Sequence, residues 1–271
     1  MKKAFNVIKI ILTTLFSLYI IVIFILIFLS PKEQRFREAA HRQGQFLSQK
    51  LFDILIFQYS NYSDAYFEKS IPFNKRGDYA EGFKSLNKAV NLNPKINLGY
   101  QGWLRLVKLK DYQGCINDLK RLDSLTPNFV DAPWGENIHF LLGLSYKGLG
   151  NNELALKEFD KSINSEIDSS WVQPNLFLYK GIIYKDLEEY DNALDNFDAC
   201  LKYNYNSPEP YFYKGLVYKE SMKIDSAKFC LTKALELFNK GYKNKDVYNE
   251  IQDELYLSDI LTELNYFEEQ E

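Results

Sequence analysis

The chain of 271 residues is long enough for a membrane-spanning element and one or two domains with a buried core. Aromatic residues make up 16% of it and only 8 residues are proline, a composition too apolar for an intrinsically disordered protein. The net charge of -3 is unevenly spread, because residues 1–50 carry +6 (eight basic, two acidic) and residues 246–271 carry -9 (nine acidic, none basic). The residues between them are neutral, so the folded part offers no basic surface for nucleic acid.

The first predicted element, within residues 1–30, is a transmembrane helix that follows a short amino-terminal tail. Ile10 to Leu29 are 20 consecutive residues without a charge, about 30 Å as a helix, which matches the hydrocarbon core of a bilayer. A cleaved signal peptide is the competing interpretation, because Lys2 and Lys3 supply a basic start. The apolar stretch is longer than a usual signal core, however, and lacks a small-residue cleavage site. We therefore expect a single-pass protein of the cell membrane that contacts the lipid bilayer through residues 10–29.

The membrane orientation is not decided by charge, because three lysines precede the apolar stretch and four basic residues follow it closely. For a bacterial source, the free amino terminus and the length of the trailing part favour a folded region outside the cytoplasm. Residues 31–62 are predicted to form an amphipathic juxtamembrane helix or linker. Its apolar face consists of Phe36, Ala40, Leu47, Leu51 and Ile54. Its basic residues fit either contact with anionic headgroups or a solvated face.

The middle of the chain repeats itself. Gly143, Gly181 and Gly215 are separated by 38 and 34 residues, and a tyrosine follows each of them by three positions. An alanine follows each glycine by twelve positions, and a large apolar residue follows by sixteen. The tyrosines are Tyr146, Tyr184 and Tyr218, the alanines Ala155, Ala193 and Ala227, and the apolar residues Phe159, Phe197 and Leu231.

This pattern resembles the tetratricopeptide repeat, a helix-turn-helix unit of 34 residues. The resemblance implies an all-α superhelix of helical hairpins over residues 63–243, which would follow the single transmembrane helix predicted above. Three copies are clear, at 136–169, 174–207 and 208–241, and two are degenerate, at 63–96 and 96–129. In the first degenerate copy we expect Pro72 to kink a helix. In the second, Trp103 occupies the small-residue position directly after Gly102, which suggests a one-residue shift in its turn.

Residues 244–271 are predicted to cover the open end of the array as a capping helix followed by an acidic tail. Tyr248, Ile251, Leu255 and Leu261 recur on one side of a helix over residues 246–263. An array of stacked repeats needs such a cover, because its last repeat has no neighbour on which to bury its apolar face.

No group of residues predicts catalysis, a metal site or a cofactor. Cys115, Cys200 and Cys230 are far apart and are expected to be buried thiols whose redox state the sequence leaves open. His139 takes a packing position of the repeat, and the nucleotide-binding, zinc-protease and serine-hydrolase motifs are missing. A deep polar pocket with strongly perturbed ionisable groups would be the sign of an enzyme that the sequence does not reveal.

The resemblance implies a concave groove lined by the first helix of each repeat. Carried over to this sequence, the groove has two apolar rows beside a row of lysines. The rows are Phe140, Leu178 and Phe212, then Leu144, Ile182 and Leu216, then Lys147, Lys185 and Lys219, with Phe67 and Ile71 added by the first copy. Such a groove suits a peptide that offers apolar anchors together with carboxylates. Alternatively, the chain covers the groove itself, for example with the stretch 46–58.

The sequence thus predicts a membrane-anchored, non-catalytic scaffold that binds a protein or peptide partner in its groove. The alternative is a structural or self-associating subunit of an envelope or secretion complex, in which the chain covers its own groove. A homo-oligomer is compatible with either function.

Overall fold

A computed structural model of the chain describes residues 2–165, 172–246 and 249–269. Within these ranges the regular structure is entirely helical, which confirms the predicted all-α class. The chain divides into two compact units, Met1–Asn97 and Leu98–Glu271, and their boundary lies inside one helix. The helices of the first unit are α1 Lys2–Phe24, α2 Lys32–His41, α3 Phe46–Gln58, α4 Ser63–Lys75 and α5 Tyr79–Leu92, followed by the start of α6 Pro94–Val107.

The amino-terminal helix α1 continues as a π-helical turn over Ile25–Leu29. The stretch Asn6–Phe24 is long and apolar enough to cross a membrane, and none of its side chains is buried within the structure. A signal sequence near an amino terminus can satisfy the same criterion of length and apolar composition. The helix is therefore a candidate for either role.

Residues 31–62 form two helices rather than one, because the chain turns at residues 42–45 between α2 and α3. The single apolar face predicted for this region is therefore wrong. Leu47 is 77% exposed, whereas Phe52 and Leu55 are fully buried against Ala39 and Ala65 within the first unit. The turn sets α3 on a new axis, so the helical periodicity of α2 does not continue into it.

Helices α4 and α5 form the first helical hairpin. Pro72 was predicted to kink its first helix, but α4 continues through Pro72 to Lys75 without interruption. Pro72 lies in the last turn, where the loss of one backbone hydrogen bond affects only the end of the helix. Asn97 closes this unit by donating hydrogen bonds to Ser63 Oγ at 2.8 Å and to the carbonyl of Ala89 at 3.1 Å.

The second unit contains the remaining hairpins. Each predicted clear copy of the repeat, 136–169, 174–207 and 208–241, contains one pair of helices. The helices are α7 Tyr112–Leu125, α8 Ile138–Gly148, α9 Asn152–Ser165, α10 Pro174–Asp186, α11 Tyr190–Tyr203, α12 Pro208–Glu220, α13 Ile224–Asn239 and α14 Leu257–Glu268.

Glycines let the two helices of a hairpin approach closely. A Cβ atom on Gly181 would lie 2.5 Å from the ring of Phe197, and one on Gly215 would lie 2.7 Å from Leu231. Gly143 meets the ring of Phe159 in the same way. The sixteen-residue spacing in the sequence is therefore a packing contact between a glycine and a large apolar side chain.

The degenerate copy around α6 and α7 confirms the predicted shift in its turn. Four residues, 108–111, separate these two helices, whereas three separate the helices of the other hairpins. Gly102 takes the small position, since its Cβ would lie 2.8 Å from Leu119, seventeen residues later. Trp103 instead stacks near Trp134, with ring centroids 5.7 Å apart.

The three cysteines are free thiols buried among the helices. Removal from water raises the pKa of Cys115 and of Cys200 to about 12, and it also raises the pKa of Cys230. Because the thiolate is the reactive form, these side chains act as small apolar residues.

The end of the array differs from the predicted cap. Of the predicted helix over 246–263, residues 249–256 are not helical, and the helix α14 begins only at Leu257. The carboxylate of Asp259 accepts the backbone N–H of Tyr256 at 2.9 Å and so fixes this start. Leu261, placed on the inward face by the sequence, is 39% exposed, whereas Ile260 and Phe267 are buried. Tyr248 lies outside the described residues.

Candidate functional site: the inner face of the second unit

The predicted groove residues lie on the first helices of three hairpins. Phe140, Leu144 and Lys147 are on α8, Leu178, Ile182 and Lys185 on α10, and Phe212, Leu216 and Lys219 on α12. We call the face that carries these nine residues the inner face. Phe67 and Ile71 are on α4, in the first unit, and Ile71 is buried there.

The described part of the chain after α13 packs against the inner face. We call residues 249–267 the C-terminal strap; it consists of a non-helical part, 249–256, and most of α14. Gln252 lies at its centre, where its side-chain amide donates to the carbonyl of Leu144 at 3.0 Å and its own carbonyl accepts the hydroxyl of Tyr179 at 3.3 Å. Lys110 donates to the carbonyl of Glu250 at 2.6 Å. Two helices, α8 and α10, and the turn between α6 and α7 thus hold the non-helical part of the strap.

Two of the three predicted lysines bind carboxylates of the strap. Lys147 Nζ lies 2.7 Å from Asp253, and both side chains are largely buried, with 12% and 25% exposed. Lys219 Nζ lies 2.7 Å from Glu263. Lys185 instead pairs with Glu220, at 3.3 Å, on the neighbouring helix α12. The segment that pairs with these two lysines is thus the chain's own strap, which carries both carboxylates and apolar side chains.

The strap also completes the core at the end of the array. Its buried side chains are Leu255, Ile260 and Phe267, with at most 4% of each exposed. They pack in one cluster with residues of the last hairpin, among them Phe212, Ala227, Leu231 and Ala234. The sequence predicts that the last hairpin is covered. In the structure, α14 and Leu255, which precedes it, cover this hairpin.

The non-helical part of the strap leaves space beneath it. A cavity of about 370 Å³ lies between residues 244–246 and 249–252 on one side and the first helices of the hairpins on the other. Its wall on the helix side is mainly apolar, and its strap side is polar. The apolar wall includes Trp103, Leu106, Phe140, Leu141 and Leu144, and the polar side includes Asn244, Asn249, Glu250 and Gln252. The side-chain oxygens of Asn249 and Gln252 are buried and have no hydrogen-bond partner within the described ranges.

Burial raises the pKa of two tyrosines on the first helices, Tyr179 and Tyr213. Burial, with a smaller contribution from the nearby Asp253 carboxylate, raises the pKa of Tyr179 far above its usual range. Tyr179 therefore stays a neutral hydrogen-bond donor to the strap. Tyr213 on α12 has a raised pKa for the same reason, burial.

Away from the inner face, His139 has the packing environment that the sequence predicts. Its Nδ1 atom lies 2.8 Å from the Glu158 carboxylate, and both side chains are nearly buried. Burial alone would raise the pKa of Glu158, but hydrogen bonds from His139 and Lys161 outweigh it and hold the pKa below its usual value. In the part of the chain that the structure describes, no group of three His, Cys, Asp or Glu side chains could hold a metal ion.

The remaining repeat positions are buried or half-buried. Ala155, Ala193 and Ala227 are fully buried, and Tyr146 is 6% exposed. Tyr184 and Tyr218 are half-buried. The contacts of Lys110, Tyr179 and Gln252 with the site depend on the path of a non-helical segment, so the sequence did not predict them. The excess of carboxylates after residue 245, opposite a row of lysines, was the available signal for the strap.

One repeat of the chain matches a known family model. Residues 136–166 match the family model of the tetratricopeptide repeat. Among curated protein sequences, none matches the chain.

Solved structures share the fold over most of the chain. The MamA protein has a TM-score of 0.57 at 18% identity, covering 69% of this chain and 99% of its own. PilF from Pseudomonas aeruginosa has a TM-score of 0.59 at 13% identity, covering 89% and 99%. YrrB, described as a tetratricopeptide-repeat protein with an unusual peptide-binding site, has a TM-score of 0.54 at 14% identity, covering 69% and 91%. The chain therefore contains a tetratricopeptide repeat at residues 136–166 and has the fold of tetratricopeptide-repeat proteins.

Proposed function

We propose that the chain is a membrane-anchored scaffold that binds a protein or peptide partner on the inner face of α8, α10 and α12, and that it has no catalytic activity. The strap carries this proposal, because it is an acidic, apolar segment that the lysines and the apolar rows of this face bind. YrrB, with the same fold, is a peptide-binding protein, which supports the same use of the fold here.

Membrane attachment through residues 10–29 is the second part of the proposal. The exposed apolar helix at the amino terminus and the basic residues on both sides of it support this placement. We further propose that the folded part lies outside the cytoplasm, for the reasons of charge and length given above. The scaffold would then act at a membrane surface.

A second candidate function is a structural or self-associating subunit. The strap also favours this alternative, since a face that the chain itself covers permanently is not available to a partner. The two functions differ in whether changes to the inner face affect partner capture.

Lys185 allows the two functions to be separated. It belongs to the inner face and is largely buried, but its carboxylate partners, Glu220 and Asp186, belong to the repeats and not to the strap. Lys185→Glu therefore reverses a charge of the face without removing a described contact of the strap. Lys202→Glu, at an exposed position of α11 in the same hairpin, is the matched control.

We expect full-length Lys185→Glu to capture its partner about tenfold more weakly than the wild type in crosslinking from alkaline-washed membranes, equivalent to ~1.4 kcal/mol. The Lys202→Glu chain should capture as the wild type does. Equal capture by all three chains would contradict binding on the inner face and would favour the structural subunit. A chain released by the alkaline wash would contradict the membrane anchor.

A further inference from the structure

We infer that the partner of the inner face is an acidic segment with an extended part and a helical part, and that the strap occupies its place in cis until the partner displaces it. This inference rests on the proposed function and adds the chemistry of the partner and the regulation of its site. The strap then covers the site and also shows which charged and apolar residues a ligand of this site would have.

The charges on the strap define the first part of the pattern. Asp253 and Glu263, ten residues apart, bind Lys147 on α8 and Lys219 on α12. The ammonium of Lys219 also lies 4.0 Å from the ring centroid of Tyr266, so an aromatic residue three positions after the second carboxylate adds to this contact. A partner with carboxylates at this spacing would use the same two lysines.

The apolar side chains define the second part. Leu255 follows the first carboxylate by two residues, and Ile260 and Phe267 lie on the buried side of α14. Their burial against the last hairpin requires a helix after the extended part, because Ile260 and Phe267 are seven residues apart on one helical face. The partner segment therefore resembles an amphipathic helix with an acidic extended leader.

The non-helical part of the strap does not fill this site completely. It leaves the cavity of about 370 Å³ next to Trp103, Phe140 and Leu144 unfilled. It also buries two side-chain oxygens, of Asn249 and Gln252, that have no hydrogen-bond partner among the residues described. An unfilled apolar wall and unpaired acceptors both weaken binding. A partner with a large apolar residue four positions before its first carboxylate would fill the space that Asn249 leaves.

Attachment in cis compensates for these defects. The strap begins ten residues after the end of α13, so its effective concentration at the inner face is in the millimolar range. A partner in trans sees only the fraction of chains in which the strap is released, and its apparent affinity is reduced by that fraction. Loosening the strap should therefore tighten partner binding without any change to the inner face.

The test uses the full-length chain and a fluorescent peptide of residues 249–267 that carries Asn249→Leu. In the chain, Asp253→Asn combined with Glu263→Gln removes the two strap carboxylates that pair with Lys147 and Lys219 and leaves the lysines of the inner face intact. Asp191→Asn combined with Asp195→Asn, at exposed positions of α11, is the control with the same change of charge. Fluorescence anisotropy should show that the loosened chain binds the peptide about tenfold more tightly than the wild type and the control.

A second variant tests the inference in the opposite direction and does not weaken the fold. Asn249→Leu in the chain itself should fill the cavity, tighten the strap and reduce peptide binding by about tenfold. A peptide with lysine in place of Asp253 and Glu263 should not bind any of these chains, and its binding would overturn recognition through the carboxylates.

The other outcomes separate this inference from the proposed function. Equal peptide affinity in all chains would overturn displacement of the strap, while peptide binding on the inner face would stand. An absence of peptide binding to every chain would overturn the assigned partner chemistry. In that case, the effect of Lys185→Glu on partner capture decides separately whether the scaffold function stands.

Discussion

Replacement of Gly181 by leucine is expected to destabilise the second unit by about 1 to 3 kcal/mol. The Cβ of the new side chain would lie 2.5 Å from Cε1 of Phe197, a ring that is fully buried between the helices. A buried ring has little freedom to move, so the hairpin of α10 and α11 must open or the ring must leave its position. The close contact of this glycine is therefore with Phe197, sixteen residues later.

Urea denaturation followed by circular dichroism measures this effect. Lys202→Leu adds the same side chain at an exposed position of α11 and should change the free energy of unfolding by less than about 0.5 kcal/mol. A double-mutant cycle of Gly181→Ala with Phe197→Leu should show favourable coupling, because the smaller side chain makes room for the added methyl group. Wild-type stability of Gly181→Leu would refute the close approach of the two helices.

Removal of the Lys147 ammonium is expected to weaken the strap by about 2 kcal/mol. In Lys147→Met the stem of the side chain remains, but the Asp253 carboxylate, only 25% exposed, loses its charged partner at 2.7 Å. The cost comes mainly from the unpaired carboxylate, because an ion pair contributes less than is lost when one partner is left alone in a buried place.

The double variant Lys147→Met with Asp253→Leu is the appropriate comparison for this effect. It removes both charges, so it should regain most of the lost stability. Trp103 lines the cavity beneath the strap and is one of three tryptophans, so its surroundings contribute to the change in tryptophan fluorescence during urea unfolding. If the single and double variants unfold together with the wild type, Lys147 and Asp253 do not form the pair described.

The regular part of the fold could be predicted because each repeat encodes it locally. Gly143, Gly181 and Gly215 mark close helix packing, and the residue sixteen positions later supplies the opposing side chain. The rows of the inner face follow from the same register, since residues on one helical face recur at fixed intervals. The irregular copy could also be assigned, because in the sequence Gly102 directly precedes Trp103, which takes the small-residue position. In the structure the turn of this copy is one residue longer than the others.

The path of the strap could not be predicted from periodicity. Its non-helical part is held by single hydrogen bonds to residues far away in the chain, such as Lys110 to the carbonyl of Glu250. A backbone carbonyl accepts such a bond whatever the side chain, so the sequence carries no sign of it. The apolar residues after position 250 therefore fitted a continuous helix equally well. In the stretch 46–58, Phe52 and Leu55 pack within the first unit, against Ala39 and Ala65.

Zero-length carbodiimide crosslinking of the full-length chain, followed by mass spectrometry, tests directly whether the strap occupies the inner face of its own chain. The reagent joins an amine and a carboxylate only when they are in contact, as Lys147 with Asp253 and Lys219 with Glu263 are at 2.7 Å. We predict both isopeptide links within the monomeric chain. Their absence, while links within the repeats such as Lys185 to Glu220 form, would contradict the account. Links between these lysines and the strap that form only in crosslinked dimers would contradict occupation in cis.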